Sequence, residues 1–118
     1  LNERGNRVRK EASKLRATIL LKGNVDIISD GRNVRFNRTG NPGMTVGGTG
    51  DVLTGITAGF LAKGVPCLKA AVAAAFVNGV AGDIVRKKKG YHLLPTDLIE
   101  RVPFVIEDAL ADRLKINS

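Results

Sequence analysis

Residues 41–51 read NPGMTVGGTGD, and residues 52–64 continue directly as VLTGITAGFLAKG. Four glycines, Gly43, Gly47, Gly48 and Gly50, crowd a loop that ends on one acid, Asp51, and opens an apolar run with helical character. Glycines let a backbone come close to a ligand and turn its N–H groups inward, and a helix start adds partial positive charge. The pattern predicts a phosphate-holding loop with Asp51 placed where a phosphoryl group would be transferred. It is not a Walker A loop, because no Lys-Ser or Lys-Thr follows the glycines. Nor is it a Rossmann fingerprint, because no strand with an acid about 20 residues further on frames it.

Upstream, residues 3–16 space Val8, Ala12 and Leu15 on one helical face. Residues 17–22, ATILLK, form a short β-branched run expected to be a buried strand that Gly23-Asn24 breaks. Residues 25–29 and 33–37 predict a hairpin around Asp30-Gly31. Downstream, a helix over residues 51–62 is stopped by Gly64-Val65-Pro66, and an alanine-rich helix over 67–87 is capped by Gly90. Pro95-Thr96-Asp97 starts a last helical region reaching about Leu114, with Pro103 expected to interrupt it. The order of helix, strand, hairpin, loop and packed helices predicts an α/β fold in which this piece covers one edge of a sheet. About three strands are few for so many apolar helices. The chain of 118 residues also opens on Leu1 inside a charged helical pattern, so a piece of a longer protein is expected.

Apolar residues make up 43% and aromatics only 4%, which points to a core of Ala, Val, Ile and Leu. The net charge of +8 fits an anionic partner or simply a solvated surface. The basic residues gather in Arg4, Arg7, Arg9, Lys10, Lys14 and Arg16, and again in residues 86–89. The few aromatics are scattered, which weakens an RNA-binding reading, and no nucleic-acid partner is expected. Cys67 is the only cysteine, so no internal disulfide forms, and it is expected to be a packed small apolar residue. No signal peptide and no apolar run of membrane-spanning length is evident, so a cytoplasmic location and no membrane partner are expected.

The block from Ile19 to Gly64, ILLKGNVDIISDGRNVRFNRTGNPGMTVGGTGDVLTGITAGFLAKG, resembles the C-terminal half of the ADP-dependent NAD(P)H-hydrate dehydratases. These are repair enzymes of the ribokinase-like superfamily. The resemblance continues through FVNGVAGD, residues 76–83, and LLPTDLIERVP, residues 93–103. A GxGD is shared among ribokinase-like kinases; KGxxD, NPGM and GGTGDVLTG together point to the dehydratase branch. The implied architecture is the C-terminal portion of a ribokinase-like three-layer α/β/α fold, a fragment with few strands, with residues 1–118 as part of one domain.

The resemblance also implies roles. Lys22, Gly23, Asn24, Val25 and Asp26 match a first nucleotide-binding segment. Asn41, Pro42, Gly43, Met44, Thr45, Val46, Gly47, Gly48, Thr49 and Gly50 match a second, and Asp51 matches the catalytic base. ADP is the implied phosphoryl donor. It would phosphorylate the hydroxyl of a hydrated NADH or NADPH, leaving AMP; loss of phosphate then restores the cofactor. Mg²⁺ is expected to offset phosphate charge, although no ligand cluster for it is evident. The family often carries His where Asn78 stands, taken here as a tolerated change. Its N-terminal half, with further substrate contacts, does not occur in this sequence. Association with that half or with another copy is therefore expected.

From the residues alone, Lys22 serves either a nucleotide or a strand end in water, and Asp26 either a ligand or the hairpin. Asp83 is expected on a helix surface or in packing, not in catalysis, and His92 in a loop without a metal. Two other functions compete. One is a ribokinase-like kinase of a small alcohol, sharing the GxGD chemistry. The other is a nucleotide-binding fragment with no activity by itself.

Overall fold

A computed structural model describes residues 2–111. Helix α1 spans Glu3–Leu15, and three strands follow: β1 Ile19–Leu21, β2 Asp26–Ser29 and β3 Val34–Asn37. A 3₁₀ turn at Pro42–Met44 leads into α2 Thr49–Ala62, α3 Cys67–Lys89 and α4 Pro95–Leu110. The strands form one antiparallel sheet in the order β1-β2-β3, with Leu20 opposite Ile28 and Ile27 opposite Phe36.

All of β2 is buried. Its side chains alternate, so consecutive residues need cover on opposite faces of the sheet. Ile28 joins Leu53, Ala71, Ala74 and Ala75 in a core between the sheet and the α2–α3 pair. α1, with Val8 and Ala12 buried, packs on β1 and β2 from the other side. The result is a small helix–sheet–helix sandwich, the expected α/β class. The alanines of α3 are core packing that lets the helix sit close to the sheet. A second core, Val77, Ala81, Val85, Leu93, Leu98 and Val105, joins α3 to α4. Ile56 and Phe60 of α2 touch both cores.

Three expectations need correcting. α4 runs unbroken through Pro103. Pro103 is exposed while Val105 is fully buried and Val102 and Ile106 pack on the α3–α4 core, so tertiary contacts hold the helix across the missing N–H. The expected extension from 112 to 114 lies outside the described residues. Cys67 is exposed, because it is the first residue of α3 and faces a cleft. Finally, α3 has 23 residues and an 18-residue window of mean hydropathy 1.5, long and apolar enough to cross a membrane. Ten of its residues are instead buried against protein, which marks it as the central core helix.

The basic cluster at the end of α3 is used locally. Arg86 lies over the Tyr91 ring at 4.7 Å and donates to its hydroxyl at 2.8 Å. Lys89 pairs with Asp97 at 2.9 Å. Cations here also favour the negative end of the helix dipole. Asp97 accepts from the Leu94 N–H at 2.8 Å, tying down the first turn of α4. That bond first, and Lys89 second, hold its carboxyl below the usual 3.8. The folded value is depressed, so the stabilisation is complete above 3.8 and fades as pH falls through the folded value. Asp97→Ala should lower the thermal midpoint by a few degrees at pH 7, and the gap to wild type should close on acidification below pH 3.8.

The segment between β3 and α2 lies directly on α3. A Cβ on Gly79 would fall on Thr39 Oγ1 and within 2.7 Å of the Thr39 carbonyl carbon, and one on Gly82 would strike the Met44 thioether. Gly79→Ala should therefore destabilise the complete polypeptide by about 1–3 kcal/mol in urea titrations, because backbone and not a flexible side-chain tip must move.

Candidate active site

Two chain segments meet at the end of the sheet. β1 ends at Leu21 and delivers Lys22 into solvent. Gly23 N–H donates to Asp26 Oδ1 at 3.2 Å, which folds the β1–β2 connection back on itself. Asp26 stands opposite Asn37 in the sheet register. Asn37 Nδ2 donates to Asp26 Oδ2 at 2.9 Å and to the Ala75 carbonyl at 3.2 Å. Thr39 Oγ1 donates to Asn37 Oδ1 at 2.9 Å. Both oxygens of Asp26 are thus occupied by structural bonds, so this residue does at least the hairpin's work.

Asp83 of α3 holds the next stretch. Its Oδ2 accepts from the Gly40 N–H at 3.1 Å and its Oδ1 from Asn41 Nδ2 at 3.0 Å. Asn41 Oδ1 in turn accepts from the Gly43 N–H at 3.0 Å and starts the 3₁₀ turn. Thr49, buried at the start of α2, donates its hydroxyl to the Met44 carbonyl at 2.7 Å. The segment is therefore anchored on α3 at one end and on α2 at the other.

α2 begins without a side-chain cap. Its N-cap is Gly48 at φ 102°, in the left-handed region where only glycine is at ease. The first backbone bond of the helix runs from the Val52 N–H to the Gly48 carbonyl at 3.2 Å. The N–H groups of Thr49, Gly50 and Asp51 precede it, and such donors at a dipole's positive end suit an anion. A Cβ on Gly50 would meet nothing within 4 Å, so the space above it is open. Asp51 is exposed in the first turn and makes no hydrogen bond or ion pair among the described residues.

Three adjoining clefts surround these groups. One of about 300 Å³ is lined by Lys22, Gly23, Asp26, Asn41, Met44 and Thr45, with Asn78 and Gly79 of α3 behind them. A wider one of about 840 Å³ takes in Lys22, Gly50, Asp51 and Cys67. An apolar one of about 640 Å³ lies between α2 and α4 and reaches Gly48 and Asp51. Lys22 borders the first two and Asp51 the last two. The structure thus brings Lys22, Gly23, Asp26, Asn41, Met44, Thr45, Gly48, Gly50 and Asp51 around connected space. Asn24, Val25, Pro42, Gly43, Val46, Gly47 and Thr49 line none of these clefts.

The sequence reading missed Asn37, Thr39 and Gly79 as builders of the site, and it gave Asp83 only a packing role. One signal was available. Gly79 and Gly82 interrupt an alanine-rich helix, and glycine inside a helix often marks a close backbone approach. Gly79 and Asp83 share a face at a spacing of four. Among the described residues no group of three His, Cys, Asp or Glu side chains comes together to hold a metal.

A family model described as NAD(P)H-hydrate dehydratase matches residues 1–104. The chain is 56% identical over 106 residues to a bifunctional NAD(P)H-hydrate repair enzyme of Pyrobaculum aerophilum, covering 90% of this chain and 21% of that protein. Among solved structures, the ADP/ATP-dependent NAD(P)H-hydrate dehydratase of Bacillus subtilis, co-crystallised with ATP and Mg²⁺, superposes with a TM-score of 0.83 at 30% identity. That match covers 89% of this chain and 39% of the other. A ribokinase-like superfamily protein of Enterococcus faecalis gives a TM-score of 0.74 at 38% identity, covering 87% of this chain and 36% of the other. The chain thus spans about a fifth to two fifths of the proteins it matches. Its three-stranded sandwich is part of a ribokinase-like fold, and with its glycine-rich turn and match over residues 1–104 the chain belongs to the NAD(P)H-hydrate dehydratase family.

Proposed function

We propose that this chain carries the nucleotide site and the catalytic base of an ADP-dependent dehydratase that restores hydrated NADH or NADPH. One observation carries the reading. Lys22 and Asp51, from segments far apart in sequence, line a common cleft at the uncapped start of α2. The Bacillus subtilis protein that this chain resembles is ADP/ATP-dependent, which fits a diphosphate in that place.

Each group has a task. The N–H groups of Thr49 and Gly50, with Gly48 turning the chain ahead of them, face the β-phosphate and stabilise the charge that builds during transfer. Lys22 attracts the phosphates from the opposite wall. Asp51 accepts the proton of the substrate hydroxyl as its oxygen attacks the β-phosphorus. The bond from that phosphorus to the bridging oxygen breaks and AMP departs. The ring nitrogen then expels phosphate from the carbon, and loss of a proton from the neighbouring carbon restores the ring double bond. The apolar cleft between α2 and α4 borders Asp51 on one side.

The described residues build no protein cage for a metal. A Mg²⁺ would be held by the diphosphate and water, and it would offset phosphate charge there. The remaining contacts to the nicotinamide would come from the rest of a longer domain or from a second copy. Leu61, Ile99 and Phe104 are exposed at 43%, 56% and 58%, and they offer such a partner an apolar surface. The cytoplasm, where reduced nicotinamide cofactors are used, is the compartment this reading implies.

The reading is tested with the complete polypeptide, hydrated NADH and ADP, following the return of NADH absorbance. Asp51→Asn should retain ADP affinity and lose roughly 10²–10⁴-fold in turnover. Gly50→Val, at a position with free space, should keep the thermal midpoint and lose ADP binding. Full turnover by Asp51→Asn would remove the base assignment, and restoration with no need for ADP would remove the whole reading. For the isolated 118-residue chain, sedimentation at high concentration should show self-association, and a clean monomer would contradict the partner surface.

A further inference from the structure

The glycines of the loop divide into two kinds. A Cβ on Gly47 or Gly50 would meet nothing within 4 Å, so these two face open space. Gly43 and Gly48 lie instead against the far end of the α3–α4 connection. Beyond the Asn41 carboxamide of its own turn, a Cβ on Gly43 would stand 3.1 Å from the Tyr91 Cα and 3.2 Å from its Cδ1. One on Gly48 would stand 2.7 Å from the Pro95 Cγ. Tyr91 and Pro95 therefore back the loop near its beginning and at its end.

This backing is rigid. Leu93 and Leu98, on either side of Pro95, are buried in the α3–α4 core. Asp97 accepts from the Leu94 N–H at 2.8 Å and pairs with Lys89 at 2.9 Å, which fixes the first turn of α4. Pro95 opens that helix with a ring-locked φ, at a position where its missing N–H forfeits no helical bond. Tyr91 is held by Arg86, whose guanidinium lies 4.7 Å over the ring and donates to the hydroxyl at 2.8 Å.

The start of α2 rests on this support. Gly48 is the N-cap, and its carbonyl takes the first helical bond from the Val52 N–H. A shift of Gly48 moves the Thr49 and Gly50 N–H groups and the Asp51 carboxylate together. Asp51 makes no hydrogen bond or ion pair among the described residues, so the backbone ahead of it decides where it stands. Gly48, Asp51 and Pro95 line one cleft.

We infer that Pro95 and Tyr91 are positioning residues for phosphoryl transfer: they brace the glycine-rich loop at Gly48 and Gly43, and so set the place of Asp51 and of the helix-start donors. The inference rests on the ADP reading proposed above and adds to it the element that aligns the base. On that reading Lys22 holds the nucleotide from the opposite wall, away from the brace, so loss of the brace falls on the transfer step. A misplacement of about 1 Å at reacting groups can cost roughly 10²-fold in rate.

Turnover of hydrated NADH by the complete polypeptide, together with ADP calorimetry, tests this at a temperature well below each variant's thermal midpoint. Pro95→Ala removes the ring carbons that face Gly48 and keeps a good helix former in place. It should lower kcat about 10-fold or more and leave the ADP Kd within about 3-fold of wild type. Tyr91→Ala should act in the same direction, and Tyr91→Phe, which keeps the ring against Gly43, should recover most of the loss. Should Pro95→Ala fail to fold, the Tyr91 pair decides by the same criterion. Wild-type kcat in folded Pro95→Ala, even with a lowered midpoint, overturns the brace and leaves the ADP reading standing. So does an ADP affinity that falls in step with kcat. Restoration by wild type with no need for ADP overturns both readings.

Discussion

The site depends on the docking of residues 39–45 onto α3. A connection of this length is costly to order, at roughly 1–2 kcal/mol per residue of backbone. Asp83 offsets part of that cost by accepting from Gly40 and Asn41 at once, 3.1 and 3.0 Å away. Two bonds from one carboxylate set both position and orientation. Gly79 and Gly82 let backbone and thioether come closer than any side chain at those positions would allow. With the segment so held, Thr49 can tie Met44 to α2, and the helix start faces outward with its donors unspent.

The polar interior follows from the same docking. Asp26, Asn37 and Thr39 form a short chain of hydrogen bonds between the sheet and α3. Asp26 and Asn37 are buried and Thr39 is half-buried, and each has a partner that removes most of the desolvation penalty. Asn78 stands beside them without one.

The charge pattern separates into local and functional parts. The basic end of α3 is spent on Tyr91, on Asp97 and on the helix dipole. Lys22, by contrast, has no partner among the described residues and borders two clefts. One lysine placed beside a helix start does more for an anion than the larger net charge of +8 spread over the surface.

Much was legible in the sequence. The glycine loop, the acid at its end, the hairpin at Asp30-Gly31 and the alanine-rich helix are matters of local backbone preference and periodicity, which act over a few residues. The KGxxD and GGTGD motifs pointed to the right family, though not to where they meet. Pro103 and Cys67 were misread because local rules predict a break at proline and burial for cysteine, whereas the α3–α4 core and a cleft edge decided each case. Tertiary structure alone decided that Asp26 is spent on Asn37, that Asp83 holds Gly40 and Asn41, and that Asn78 is buried with an empty acceptor. The reason is physical: a polar side chain's role depends on which donors and acceptors lie within about 3 Å, and in this fold those neighbours lie up to 43 positions away in the chain.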